Sequence, residues 1–422
     1  MALAVYLYGR RIGTLRPGTG TDYTFAYSRE VVEEAGHGAI VLSHSLPAQE
    51  EPFDPVATRA YFEGLLPESG RREELARELQ VSIHDSYALL ARVGRDCAGA
   101  VVILPEEEDL PGAETGVEWL TDEQLKELVD ELPRRPLGVT RTGGRLRLSL
   151  AGVQRKLALV RDESGRFGEP IGDEPSTHLI KPQFGDEYPD LAVNEMFCMA
   201  VADRIGLDAA QTSLATIGGR TCLISTRFDR AEQGESIVRL HQEDLCQALR
   251  IPTNLKYEEN SGPGFRHFHR LLTEIGRGGD IGSMVRSAVL NFVLGNSDAH
   301  GKNFAILFTR EGRRLAPLYD LVSTAVYDLD RNMAMAIGGN FDPDTVQLAD
   351  WLDMSADCDL PPRRFFPLVR TTAIETVEAV SAVKGQAEAE GWHAPVIASI
   401  EAVARERADR IGEEIESREE AA

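Results

Sequence analysis

Residues 296–304 read NSDAHGKNF, and the rest of the chain is best understood outward from them. Asp298 and Asn303 lie five positions apart. A carboxylate can orient or accept the proton of an attacking hydroxyl, and an amide oxygen can hold a hard divalent cation on phosphates. Lys302, beside Asn303, can neutralise charge building on a transferred phosphoryl group. An apolar helical stretch, GSMVRSAVLNFVLG (282–295), precedes the loop and a strand-like FAILF (304–308) follows it. Both ends of the loop are therefore expected to be fixed. Alone, the motif reads equally as a capping Asp and a turn Asn.

Seventeen residues after Asn303, APLYDLVST (316–324) puts Asp320 between an apolar strand and a turn. A carboxylate there, with the Asn303 amide, suits magnesium's preference for oxygen ligands. Upstream, THLIKP (177–182) ends a strand with Lys181, and Glu195 follows fourteen residues later in the first turns of a helix, NEMF (194–197). A strand lysine with a helix glutamate as its ion-pair partner is how protein kinases hold the α- and β-phosphates of ATP. SLAGVQRK (149–156) lies between two expected strands. The backbone amides of Ala151, Gly152, Val153 and Gln154 are placed to cover phosphates, with Arg155 and Lys156 adding charge. Its single glycine, Gly152, departs from the glycine-rich loop of protein kinases. LHQEDLCQ (240–247) joins the β-rich part to the α-rich part, so the Glu243 carbonyl and Leu245 amide are expected to read adenine. His241 and Asp244 take structural or ribose-facing roles. Each signal is modest, but loop, Lys181, Glu195, hinge, Asp298, Asn303 and Asp320 follow in the order of a protein kinase.

Bulk properties permit this. The chain has 422 residues, 42% hydrophobic and 27% charged, as in ordinary globular proteins, and is long enough for two or three domains. A net charge of −23 disfavours broad nucleic-acid binding by the chain itself. The five cysteines are scattered without a CxxC pair, so buried, reduced thiols are expected rather than disulfides or zinc. The N-terminal MALAVYLYGRRIG places its apolar run before its charges, unlike a signal peptide, and no stretch is apolar enough to span a bilayer. A cytoplasmic location is the expectation.

The pattern along the chain predicts an α+β protein. Residues 1–105 read as a small mixed domain, with strands in LAVYLY and RIGTL, helices over 55–66, 71–79 and 84–93, and a buried strand in CAGAVVILP. Residues 106–145 read as an acidic linker followed by a helix capped by Thr121. Residues 146–250 form the β-rich ATP-binding part, with the LAVNEMFCMAVADRIGL helix inside it, and 251–422 the α-helical lobe carrying the catalytic loop.

SLAGVQRKLAL, THLIKP, NEMF, STRFDR, QEDLCQ, GNSDAHGKNF and PLYDLVST closely resemble signature segments of the HipA-type serine/threonine kinases, toxins of bacterial type II toxin–antitoxin modules. FEGLLPE and VGRDCAGAV resemble that family's N-terminal domain, so the likeness runs from about residue 3 to about 410. The resemblance implies a two-lobed, protein-kinase-like fold using ATP and Mg2+. It implies Asp298 as the catalytic aspartate, Asn303 and Asp320 on magnesium, and Lys181 on the phosphates. Ala151–Lys156, Glu243–Leu245, His300 and Tyr319 would line the nucleotide site. Ser149 matches the serine that family members autophosphorylate. Phosphate there would push the loop outward and switch the enzyme off. The family's substrates include aminoacyl-tRNA synthetases, and its usual partner is a HipB-like helix-turn-helix antitoxin that binds operator DNA, so DNA would be met only indirectly. No catalytic group is missing. An ATP-binding co-repressor scaffold for the helix-turn-helix partner, and a small-molecule or lipid kinase, are the competing expectations.

Overall fold

The computed structural model describes residues 1–108, 116–133, 154–185, 187–234 and 236–421. Ser149, Ala151, Gly152 and Val153, and the strand expected from Leu146, lie outside the described residues. Two compact units emerge, one of Met1–Pro182, Ala215–Asn254 and Ile306–Gly312, the other of Gln183–Leu214, Leu255–Ala305 and Arg313–Ala422. The α+β class holds, with all the strands of the opening domain in the first unit and the long helices in the second.

In the first unit, an antiparallel sheet runs in the order Tyr23–Tyr27, Arg10–Pro17, Leu3–Leu7, Val101–Pro105. Its hairpin turns through Tyr8 and Gly9, both at positive φ (51° and 76°), the tight connection that matches strand twist. The expected helices form over Pro55–Phe62, Ser69–Leu79 and Ser86–Val93. The first and third are capped by Asp54 and Asp85, each accepting a first-turn amide at 2.9 Å. Leu3, Val5, Phe25, Tyr61, Phe62, Leu89 and Leu90 are packed in one apolar core. The strand Tyr23–Tyr27 and helix Arg29–Ala35 add to the expected elements. The strand's alternating burial explains it: Tyr23, Phe25 and Tyr27 face in.

The same unit holds most of a second sheet, ordered Gly116–Trp119, Phe167–Ile171, Leu157–Arg161, His178–Pro182, Arg220–Thr226, Thr212–Ile217. Gly116–Trp119 falls inside the segment read as linker and helix, yet forms the edge strand, pairing antiparallel from Gly116↔Ile171 to Trp119↔Gly168. The helix after it, Asp122–Glu131, has the expected Thr121 cap, and Gln124 closes a capping box.

A buried charge network ties residues 96–99 to this sheet region. Asp96 accepts from Ser176 (2.8 Å), Arg239 (2.7 Å) and Arg230 (3.1 Å). Asp229 takes both forks of Arg227 at 2.9 Å and the Gly99 amide at 2.7 Å. Burial alone pushes the Asp96 carboxyl up, but Arg227, Arg239 and Arg230 hold it down at about 2.

The second unit is built on helices. Gly278–Leu294 packs against Pro362–Glu390 and Pro395–Ala421, which pack on each other. Phe292 meets Trp351 edge-on at 5.5 Å, and Trp351 and Phe365 are fully buried. Among the described residues no helix is long and apolar enough to cross a membrane. All five cysteines are free and buried, as expected.

Candidate active site

The loop NSDAHGKNF is anchored where the sequence places it. The helix Gly278–Leu294 stops at Gly295, whose left-handed φ of 73° needs a residue without Cβ. An added Cβ would lie 2.7 Å from Ala325 and 2.8 Å from Val403, so the helix end is closed on both sides. Asn296 hydrogen-bonds Asn291 (2.7 Å) and accepts the Asp298 amide (3.2 Å). Ser297 donates its amide to Thr324 (2.7 Å), its hydroxyl to the Arg331 carbonyl (2.9 Å), and accepts the Ala334 amide (2.8 Å). Backbone fixation at almost every atom leaves the Asp298 side chain exposed on a rigid stalk.

Asp298, His300, Lys302, Asn303, Tyr319 and Asp320 are brought together in this one unit. The Asn303 amide nitrogen reaches the Asp320 carboxylate at 3.4 Å, and its oxygen accepts the His300 amide at 3.2 Å. The Tyr319 hydroxyl donates to the Lys302 carbonyl at 2.6 Å, which ties Asp320's neighbour to the loop. Asp320 itself has φ 59°, a left-handed conformation that costs a non-glycine residue about 1 kcal/mol and aims its side chain.

His300 is buried and neutral. Burial, then the charges of Lys256 and Lys302, push its pKa down to about 3. Its Nδ1 accepts the Lys302 amide at 3.3 Å, which places the proton on Nε2 and leaves that nitrogen a donor. The one-turn helix Gly301–Asn303 is thus capped by a side chain the sequence reading had placed along the nucleotide.

These groups fit a magnesium ion. Among the described residues there is no cluster of three His, Cys, Asp or Glu that would form an all-protein cage. One carboxylate and one amide, both oxygen donors, leave most of a magnesium shell to phosphates and water, as this ion prefers. The Asn303 oxygen keeps a second lone pair beside its bond to His300.

The remaining expected residues lie in the first unit, except Glu195. Lys181 is buried on a central strand, opposite Leu223. Glu195, its expected partner, is buried in the helix Leu191–Arg204 of the second unit. Arg155 is held by Glu74 at 3.1 Å. Gln154 and Lys156 are described beside it. Asp244 is the N-cap of a short helix, Leu245–Ala248, accepting the Gln247 amide at 2.8 Å in a capping box. Leu245 starts the helix, where an amide has no intrahelical acceptor. The Glu243 carboxylate is buried and receives the Ser43 hydroxyl and the His44 amide (3.0 Å). His241 donates to the Leu42 carbonyl at 2.7 Å.

Sequence reasoning missed two residues. Asn194, within NEMF, is fully buried and clasps the backbone of Ser323, accepting its amide at 2.8 Å and donating to its carbonyl at 3.0 Å. A polar residue amid the apolar face of LAVNEMFCMAV was the available signal, since buried amides need partners. Tyr257 donates its hydroxyl to Asp298 at 2.8 Å, and no motif marks it.

With this geometry in place, comparison decides the family. Residues 148–383 match the HipA-like C-terminal domain and residues 3–104 the HipA N-terminal domain. The chain belongs to the HipA family. The serine/threonine-protein kinase toxin HipA of Shewanella oneidensis is 33% identical over 69% of this chain and 70% of its own. A Sinorhizobium fredii protein, Y4mE, whose name marks it as a candidate kinase, is 38% identical over 90% of this chain and 91% of its own. The solved complex of Shewanella oneidensis HipA with HipB and its operator DNA contains a chain that matches 97% of this one, and 97% of itself, at a TM-score of 0.81 and 26% identity. The chain is thus a member of a toxin-kinase family with a kinase-like fold, as the sequence motifs imply.

Proposed function

We propose that this HipA-family chain transfers the γ-phosphoryl group of ATP to a serine or threonine hydroxyl of a protein, and that it acts as a growth-inhibiting toxin. The observation that supports this best is the gathering of Asp298, Asn303 and Asp320 in one unit, with Asn303 and Asp320 3.4 Å apart. Asp298 takes the acceptor hydroxyl's hydrogen bond and, as bond formation proceeds, its proton. Lys302 faces charge on the transferred group. Asn303 and Asp320 would hold a magnesium ion, which when bound would neutralise phosphate charge. His300 and Tyr319 hold the loop's shape, and His300 offers its Nε2 proton to the nucleotide.

Lys181 supplies positive charge to the phosphates, with Glu195 as its counter-charge. Gln154, Arg155 and Lys156, with Ala151, Gly152 and Val153, form the phosphate-covering loop, while Glu243, Asp244 and Leu245 form the adenine-reading segment. Ser149 is the autophosphorylation site that switches the enzyme off. The substrate class is a translation protein such as an aminoacyl-tRNA synthetase. A HipB-like helix-turn-helix antitoxin neutralises the chain and carries it to operator DNA; the solved relative's assembly with HipB and DNA supports this, and the chain's −23 charge favours a basic partner over bare DNA.

Incubation of the purified chain with γ-labelled ATP and magnesium, followed by phosphopeptide mapping, tests the proposal. Label on a serine or threonine of the chain itself or of a co-incubated lysate protein is expected; absence of all label refutes it. The solved HipA–HipB–DNA assembly also favours a co-repressor role. Operator binding with HipB that persists in Asp298→Asn separates that role from catalysis.

A further inference from the structure

The hydroxyl of Tyr257 donates to Oδ1 of Asp298 at 2.8 Å. Nothing in the motif order calls for a tyrosine there. Its surroundings show that the contact is built rather than incidental. The residues on either side are pinned by backbone. The Lys256 carbonyl accepts the Gly301 amide at 3.2 Å, within the catalytic loop itself. The Glu258 amide donates to the Ala334 carbonyl at 2.9 Å, and its carboxylate accepts the Ala336 amide at 2.7 Å. The Ala334 amide in turn binds the Ser297 carbonyl, so the strap and loop share one frame.

The Tyr257 carbonyl also closes a tight turn, accepting the amides of Asn260 (3.0 Å) and Gly262 (2.9 Å). A Cβ at Gly264 would come within 2.0 Å of the Glu258 carboxylate, so that side chain would have to shift. The ring stands edge-on to His300 at 5.3 Å, and the Lys256 ammonium lies 5.3 Å from its centre. Backbone, ring face and ring edge are all specified, so the phenol oxygen has one place to be.

The terminal torsion of a carboxylate is intrinsically broad and two-fold. A donor fixed on one oxygen narrows it, the kind of orientation that turns encounter into reaction.

We propose that Tyr257 is a positioning residue for the catalytic aspartate, holding Oδ1 of Asp298 so that the carboxylate meets the acceptor hydroxyl in a set direction. This rests on the kinase reading given above. Tyr257 acts through Asp298, which in that reading meets the acceptor hydroxyl rather than the nucleotide, so its effect should fall on turnover rather than on nucleotide affinity.

The test compares the full chain with Tyr257→Phe, which keeps the ring against His300 and Lys256, and with Tyr257→Ala, which removes it. Autophosphorylation and ATP hydrolysis are followed with magnesium, together with MgATP affinity by calorimetry and the thermal midpoint. Loss of one hydrogen bond to an ionised group predicts a roughly 10- to 100-fold fall in kcat for Tyr257→Phe, with KM and Kd for MgATP unchanged within twofold. Tyr257→Ala should be no better. If Tyr257→Phe turns over like the wild type and only Tyr257→Ala is impaired, the ring is merely packing and the proposal is overturned. Faster turnover by Tyr257→Phe overturns it too, because the phenol would then be obstructing the acceptor. If the wild type transfers no phosphate at all while Kd for MgATP is normal, the kinase reading itself has failed.

Discussion

Two charged regions of this molecule show what charge is for. In the first unit Asp96, Arg227 and Asp229 are buried with Arg230 and Arg239 partly buried beside them, and each carboxylate is met by more than one guanidinium group. In the second, Asp298 is exposed, with the Tyr257 phenol among its donors, and Asp320 is only partly buried, with the Asn303 amide among its own. A carboxylate wrapped by arginines has its acceptor sites and its charge used up, so it holds chain segments together. A carboxylate that still reaches solvent is open to a proton, a metal or a phosphate. The arginine-wrapped carboxylates therefore mark architecture here, and the carboxylates that reach solvent mark chemistry.

The sharpest way to break that contrast is Asp298→Asn. The change keeps shape and removes the base. Phosphate transfer should fall by about a thousandfold or more, with the thermal midpoint moving by no more than a degree or two. A large loss of stability would show that Asp298 belongs with the architectural charges.

Arg227→Ala is the reciprocal test. It strips Asp229 of a bidentate partner and Asp96 of a nearby positive charge, leaving buried carboxylates under-compensated. Breaking a buried pair from one side costs about 3–5 kcal/mol, so the urea midpoint should drop strongly. MgATP affinity of the protein that remains folded should be unaffected. If stability hardly changes, the network is less saturated than its geometry implies.

The two regions also differed in how far the sequence disclosed them. Asp298, Asn303 and Asp320 were legible because phosphoryl transfer fixes residue types and intervals along a short span. Lys181 on a strand and the helix carrying Glu195 were readable for the same reason, and Asp122–Glu131 announced itself by its cap. The arginine network was invisible as a network. Its members are scattered between residues 96 and 239, and STRFDR alone does not say that Asp96 will complete it. Tyr257 was equally hidden, since a side chain that crosses 41 positions to reach its partner leaves no local period. Gly116–Trp119 leaves little signal, because a four-residue strand is too short to show a period and an acidic, Pro- and Gly-containing stretch precedes it.

Acid offers a smaller perturbation. His241 is buried, and desolvation pushes its pKa down to about 4 despite its bond to the Leu42 carbonyl. The unfolded chain binds this proton near pH 6.5, while the folded chain resists it until about 4. The unfolded state therefore binds more protons between those values, and stability falls as pH is lowered through that window. The loss attributable to this group approaches about 3 kcal/mol at the acid end. Thermal melts between pH 7.5 and 4.5 should show it. His241→Gln should flatten that slope, and an unchanged slope would assign the acid sensitivity to other groups.

The smallest expected effect is the control for the whole comparison. Arg29 and Glu33 form an i,i+4 pair at 2.7 Å on the helix Arg29–Ala35, with side chains 85% and 60% exposed. By distance alone this pair looks as good as any in the buried network. Water, however, screens the attraction and both long side chains must be ordered to make it, so such pairs contribute about 0.3–0.5 kcal/mol. Arg29→Ala should shift stability by no more than that, and the shift should vanish in 0.5 M salt because the Debye length there is only about 4 Å. A loss comparable to that of Arg227→Ala would mean that pair distance, rather than burial and saturation, governs what charges do in this protein, and the separation between architectural and chemical charge would have to be redrawn.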